Sequence, residues 1–203
     1  MSVSNPTLYR ALPWDDRRGT GGMTLFIVTE AALFLMLFFA YFYLGRDESR
    51  WPLDEPPKLK LSSIMLAVLL TSSVILHLGE QFSKRGRESL ARAAVSATVA
   101  LGIGFLVLQF FEYKDRLRTL QPGTDAYGSI FYTITGLHGL HLILGICMLA
   151  YVLALPRLEH SDRSPYRALH NSSLYWHFVD AVWVVIMVLL YYLPHLRRAW
   201  GES

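Results

Sequence analysis

Seven side chains could do chemistry in this sequence, and each lies inside or at the edge of a long apolar stretch. They are Glu30 in FIVTEAALF, His77 in VILHLGE, Glu112 in QFFEY, His138 and His141 in GLHGLHLILG, and His177 and Asp180 in YWHFVDAVW. His138 and His141 are three residues apart, as are His177 and Asp180, and on a helix that spacing puts both members on one face. Each pair therefore points one way, into a helix bundle rather than at lipid. An ionised carboxyl near the bilayer centre costs about 3 kcal/mol or more, and polar groups in lipid need internal partners. A Glu30–His77 contact, a His–Asp contact or a protonated carboxyl donating a hydrogen bond would meet that need. These groups read as structural anchors, as a proton or ion path, or as contacts to a lipid headgroup. Histidines with carboxylates suit iron, copper or zinc, and facing histidines can hold haem. Here, however, seven histidines are spread over the chain, with His160, His170 and His195 placed in loops or at an end. No metal site and no catalytic residue are expected in this chain. It also lacks a glycine-rich phosphate loop and a Ser/His/Asp set outside the apolar stretches.

The elements that position these residues are set by hydropathy. The chain has 203 residues, 53% hydrophobic and only 17% charged, where a soluble domain carries about a quarter charged. A run of about 20 apolar residues spans a bilayer, and five occur, near residues 22–44, 61–80, 91–112, 129–155 and 174–193. Transmembrane β-strands would be shorter and would alternate in polarity. The expected fold class is all-α, a polytopic membrane helix bundle with five transmembrane helices. The expected organisation is an N-terminal cytoplasmic tail (1–21), one membrane domain (22–193) and a short C-terminal tail (194–203). The tail before the first span lacks the apolar core of a signal peptide, so the first span is expected to act as the insertion signal. The connections are short and rich in breakers, as in RWPLDEPPK and LQPGTDAYG. In the third span Ser96, Ala100 and Gly104 recur every four residues, a spacing that permits close helix approach, and the expectation is packing inside the bundle. The single cysteine, Cys147, excludes an internal disulfide.

Lysine and arginine number ten on the side of the N-terminus and nine on the other. The basic tail ahead of the first span favours an N-terminus inside and a C-terminus outside. With that orientation Glu30, His77, His177 and Asp180 fall in the inner half. A net charge of +3 is too small to argue for nucleic acid.

Five stretches then carry a resemblance. YWHFVDAVW (175–183) resembles the last-helix signature of subunit III of the haem–copper oxidases, such as cytochrome c oxidase. AYGSIFYTITGLHGLHLILG (126–145) is similar to that family's penultimate helix, FIVTEAALF (26–34) to its glutamate helix, WPLDEPP (51–57) to the Pro-rich loop that follows, and QFFEY (109–113) to a helix end with a glutamate. They stand in the family's order over residues 22–193. The family's full-length members have seven helices, and the five here match its short bacterial form, in which the first two are missing.

The resemblance implies a subunit without haem or copper, those cofactors belonging to partner subunits. It implies packing on oxidase subunit I, with subunit II in the same complex, bound phospholipid in a cleft, protection of proton uptake during turnover, and a possible place in a respiratory supercomplex. It makes Glu30 the carbodiimide-reactive carboxyl and Arg157, two residues late in register, the lipid-headgroup candidate. His77, Glu112, His138, His141, His177 and Asp180 become bundle-interior polar anchors. The implied location is a bacterial inner membrane. Two other readings stay open: a subunit III-like accessory protein of a nitric oxide reductase, and an independent proton channel or transporter using Glu30, His177 and Asp180 as relay groups.

Overall fold

A computed structural model describes residues 15–46, 59–117, 120, 123, 126–155 and 164–196. Five helices follow one another: α1 (Asp15–Leu44), α2 (Leu59–Lys84), α3 (Glu88–Arg116), α4 (Ala126–Ala154) and α5 (Ser164–Ile186). The last continues through a π-helical stretch, Met187–Tyr192. No strand occurs among the described residues. All five helices are long and apolar enough to cross a membrane, so the chain is a multi-pass membrane protein.

The helices begin earlier than the apolar runs. α5 starts at Ser164, about three turns ahead of residue 174, because SPYRALHNSS lacks a breaker after Pro165, and proline is tolerated in a first helical turn. His170, expected in a loop, is therefore on α5. Arg157 lies outside the described residues.

α5 occupies the middle of the bundle and packs on α1, α2 and α4, while α2 and α3 form a close antiparallel hairpin. The hairpin turns at Gly86, whose φ of 69° suits a residue without a Cβ. Just before it, Gly79 approaches α3 so closely that a Cβ there would sit 2.8 Å from that of Ala94. α1 touches α4 and α5 at the edge of the bundle and leaves Leu25, Val28, Leu35, Met36 and Phe39 exposed. In water such a face would be a liability, but against hydrocarbon it is the favoured surface.

The face that α3 turns inward is Ala91, Val95, Thr98, Gly102, Phe105, Gln109 and Glu112. Ser96 and Ala100 point outward, and nothing comes within 4 Å of a Cβ built on Gly104. The small-residue stripe is thus not the internal packing surface expected of it. The close approach is made instead by Gly102, on the inward face, where a Cβ would stand 2.6 Å from the Trp176 ring of α5.

The π-helical stretch is closed by the Leu193 N–H donating to the Val188 carbonyl. Such a wide turn opens backbone carbonyls to outside donors. Here the Tyr41 hydroxyl of α1 donates to Leu189 O at 3.3 Å, and the Tyr127 hydroxyl of α4 donates to Leu190 O at 3.5 Å. Two neighbouring helices are thereby tied to the end of the central one.

Candidate functional site

The ionisable groups of the interior gather at three levels, the two ends of the bundle and its middle. At the end where α3 finishes, Glu112 is 5% exposed and its Oε1 accepts from four donors. These are Ser62 Oγ of α2 at 3.1 Å, Tyr191 Oη at 2.9 Å, and Arg116 Nε and Nη2 at 3.2 and 2.9 Å. The guanidinium lies over the rings of Phe131 and Tyr191, 4.5 and 5.0 Å from their centroids, a placement that suits a delocalised cation in an apolar setting. Glu112 thus links α2, α3 and the π-helical stretch, while Arg116 stacks on α4.

At the opposite end Glu80, buried although charged, is met by Lys84 Nζ at 3.1 Å, His170 Nδ1 at 3.0 Å and the Tyr166 hydroxyl at 3.3 Å. Nearby, Arg92 of α3 donates to the carbonyls of Leu153 and Leu155 at the end of α4, satisfying two of the acceptors that a helix terminus leaves open.

In the middle, Glu30 of α1 meets His141 of α4, with Oε2 2.8 Å from Nε2. His141 Nδ1 is 2.7 Å from the Leu137 carbonyl. A carbonyl only accepts, so Nδ1 carries a hydrogen. A single further proton then lies between Nε2 and Oε2, and the pair is neutral as a whole, whether written as acid and imidazole or as carboxylate and imidazolium. Phe34 packs edge-on against the imidazole at 4.9 Å. The Glu30 side chain retains 22% exposure and His141 11%, so the carboxyl sits on the outer wall of the bundle rather than in its centre.

Also in the middle, α2 and α5 are joined by Trp176 Nε1 donating to Ser72 Oγ at 3.0 Å, and by a 2.6 Å contact between Ser73 Oγ and His177 Nδ1. His177 Nε2 is 3.2 Å from Ser173 Oγ, one turn back. Asp180 is 4% exposed. Neither of its carboxyl oxygens has a hydrogen-bond partner.

Several sequence expectations need correcting. Glu30 pairs with His141, not His77. His77 is exposed and contacts Gln81 on its own helix at 3.0 Å. It follows Leu76, which fills the inward stripe of α2 with Met65, Leu69 and Ser72, and one residue along a helix turns the side chain about 100° away. His138 and His141 do not serve one neighbour. His138 is fully buried between Phe105 and Trp183, at 5.8 and 4.9 Å, without a hydrogen bond. It packs as an aromatic ring, whereas His141 reaches α1. His177 does fasten α5 to α2, but Asp180 has no such bond.

Arg116, Glu80, Lys84 and Tyr191 were missed. Two of these contacts were visible, since Glu80–Lys84 and Glu112–Arg116 have the i, i+4 spacing of helical ion pairs. Among the described residues no group of three or more His, Cys, Asp or Glu is placed to hold a metal ion.

Fold and site together define an integral membrane bundle of five helices whose interior glutamates are engaged by side chains of their own and of neighbouring helices. The cytochrome c oxidase subunit III family model matches residues 17–195, and the chain belongs to that family. It is similar to cytochrome c oxidase subunit 3 of Synechocystis sp., 35% identical over 177 residues that cover 85% of this chain and 74% of the relative. To the protein of the same name from Thermostichus vulcanus it is 32% identical, over 85% of this chain and 86% of the other. To that of Ornithorhynchus anatinus it is 31% identical, over 84% and 68%.

Proposed function

We propose that this chain is the third, non-redox subunit of a bacterial haem–copper terminal oxidase, in which oxygen is reduced to water and protons are pumped. The observation that carries the reading is the family match across residues 17–195, which takes in all five helices. The interior supports it: Glu112, Glu80 and Glu30 are each engaged by side chains of neighbouring helices, the arrangement of a scaffold more than of a reaction centre. In this role the chain stabilises oxidase subunit I, lies in one complex with subunit II, holds phospholipid and sustains proton uptake during turnover. Haems and copper belong to the partner subunits. The membrane is the bacterial inner membrane, with the N-terminus and the Glu80 end on the cytoplasmic side.

The test is a mild-detergent purification on a tag fused to Ser203, with optical spectra and mass spectrometry of the product. Haem bands together with a large haem-bearing subunit I and a copper-bearing subunit II are expected. A nitric oxide reductase in the product would replace this reading by the accessory one. A colourless product holding this chain alone, after crosslinking in the membrane before extraction, would overturn it in favour of an independent transporter or channel.

A further inference from the structure

Most buried polar atoms of folded proteins find a partner in the chain or in ordered water. Five buried side-chain atoms that find none in this chain fall on three residues. They are both ring nitrogens of His138, both carboxyl oxygens of Asp180 and the indole nitrogen of Trp183. His138 and Trp183 are 0% exposed and Asp180 4%, so none of them bonds to anything outside the bundle.

The three residues lie together. Trp176, Asp180 and Trp183 are spaced i, i+4 and i+7 on α5 and so share one face. At one end of that face Trp176 closes on Gly102 of α3 and Gly145 of α4, with its own nitrogen spent on Ser72. At the other end Trp183 meets Phe105 of α3 edge-on at 4.8 Å and lies over His138 of α4 at 4.9 Å. Asp180 stands between these two levels on the same face. The inward residue of α4 between Gly145 and His138 is Leu142, fully buried and apolar, which offers a carboxyl no hydrogen bond. The contact of His138 with Trp183 uses the ring faces. Ring nitrogens bond at the ring edge, in its plane, so both rings keep a bonding capacity that the surrounding protein does not fill.

We propose that His138, Asp180 and Trp183 form a buried water-binding site that joins α4 to α5 in the middle of the bundle. The hydrogen-bond inventory selects the ligand. Trp183 Nε1–H and one N–H of a neutral His138 give two donors, and the other imidazole nitrogen and a carboxyl oxygen give two acceptors, in either protonation state of Asp180. That set is the complement of a water molecule, which accepts twice and donates twice. A metal cation cannot accept from the two N–H groups, and an anion would meet the carboxyl. An internal water makes about three bonds to groups that otherwise have no partner, and these atoms supply them. The water ties the α4 imidazole to the α5 carboxyl and indole, which have no direct bond to one another.

X-ray radiolysis of the purified assembly provides the test, because it makes hydroxyl radicals from water in place and oxidises the side chains beside that water, buried or not. Peptide mass spectrometry then reads each tryptophan. Trp176 is the internal control, as buried as Trp183 but with its nitrogen bonded within the protein. Oxidation is expected at Trp183 and not at Trp176. His138→Phe, which keeps a ring against Trp183, and Asp180→Leu should each lower the oxidation of Trp183, and the double variant should lose it. Trp183 as unreactive as Trp176 in the wild-type assembly, equal oxidation of the two, or oxidation of Trp183 unchanged in the double variant would overturn the proposal. If the variants do not assemble, the wild-type comparison of the two tryptophans decides the matter. Failure here would leave the oxidase reading intact, because that reading asks only that the bundle form.

Discussion

Three of the interior carboxyls, those of Glu30, Glu112 and Asp180, differ in what surrounds them, and their reactivity should differ accordingly. A carbodiimide needs a protonated carboxyl that it can reach from the lipid phase. Glu30 shares one proton with His141 and keeps 22% exposure, Glu112 is held by an arginine, and Asp180 is enclosed. Dicyclohexylcarbodiimide is therefore expected to label the chain mainly at Glu30, read by peptide mass spectrometry, and Glu30→Gln should abolish most of it. Label found chiefly on Asp180 would contradict the exposure argument. Glu112 should matter in another way. Removing one partner of a buried pair strands the other charge, at a cost of about 3 kcal/mol or more, whereas replacing both with apolar residues of similar volume is often close to neutral. Glu112→Gln is expected to lower the temperature at which the chain leaves its assembly, and Glu112→Met with Arg116→Met to lower it less. A double variant worse than the single would show that the pair is net stabilising. Glu112 was legible in the sequence as a buried carboxyl, but its partners were not. Three of its four donor bonds come from Arg116 and Tyr191, residues that hydropathy assigns to an exposed loop edge and to a plain apolar run.

The five helices, their order and their transmembrane length could be read from hydropathy, because the requirement for about 20 apolar residues leaves few other solutions. Which face of each helix turns inward could not. Apolar residues cover both the lipid-facing and the buried sides of α1 and α3, so the amphipathic signal that orients a helix in water is absent. The Ser96–Ala100–Gly104 stripe shows the consequence, since small-residue spacing alone gave no means to choose between it and the face carrying Gly102. The two faces can be told apart by substitution. Gly102→Val should wedge α3 away from Trp176, where even one added carbon would stand 2.6 Å from the ring; overpacking of that kind costs about 1–3 kcal/mol. Gly104→Val meets nothing within this chain and should leave its stability near wild type. Thermal unfolding of the two variants in one detergent gives the comparison, and equal midpoints would mean that α3 is rotated from the face described.

For the whole molecule, the arrangement separates a tightly fastened block from a lightly held helix. α2 to α5 are knitted together by the Glu112 and Glu80 clusters at opposite ends and by Trp176 and His177 in the middle. α1 is joined to that block through Glu30–His141, Tyr41 on the Leu189 carbonyl and a line of aromatic contacts that includes Phe34. A unit of this kind suits a supporting subunit, rigid where its helices lock and compliant at one edge. The proposed role then makes a kinetic prediction rather than an all-or-none one. If the chain protects proton uptake and the catalytic subunit without touching the reacting atoms, an oxidase purified without it should begin oxygen consumption at close to the normal rate and lose activity progressively with turnover. Adding the chain back before turnover should prevent the loss, and adding it afterwards should not. Oxygen-electrode traces carried through many turnovers would measure this. A steady rate without the chain would remove the protective role, and an absence of initial activity would mean that the chain is needed for the chemistry itself or for building the centre that performs it.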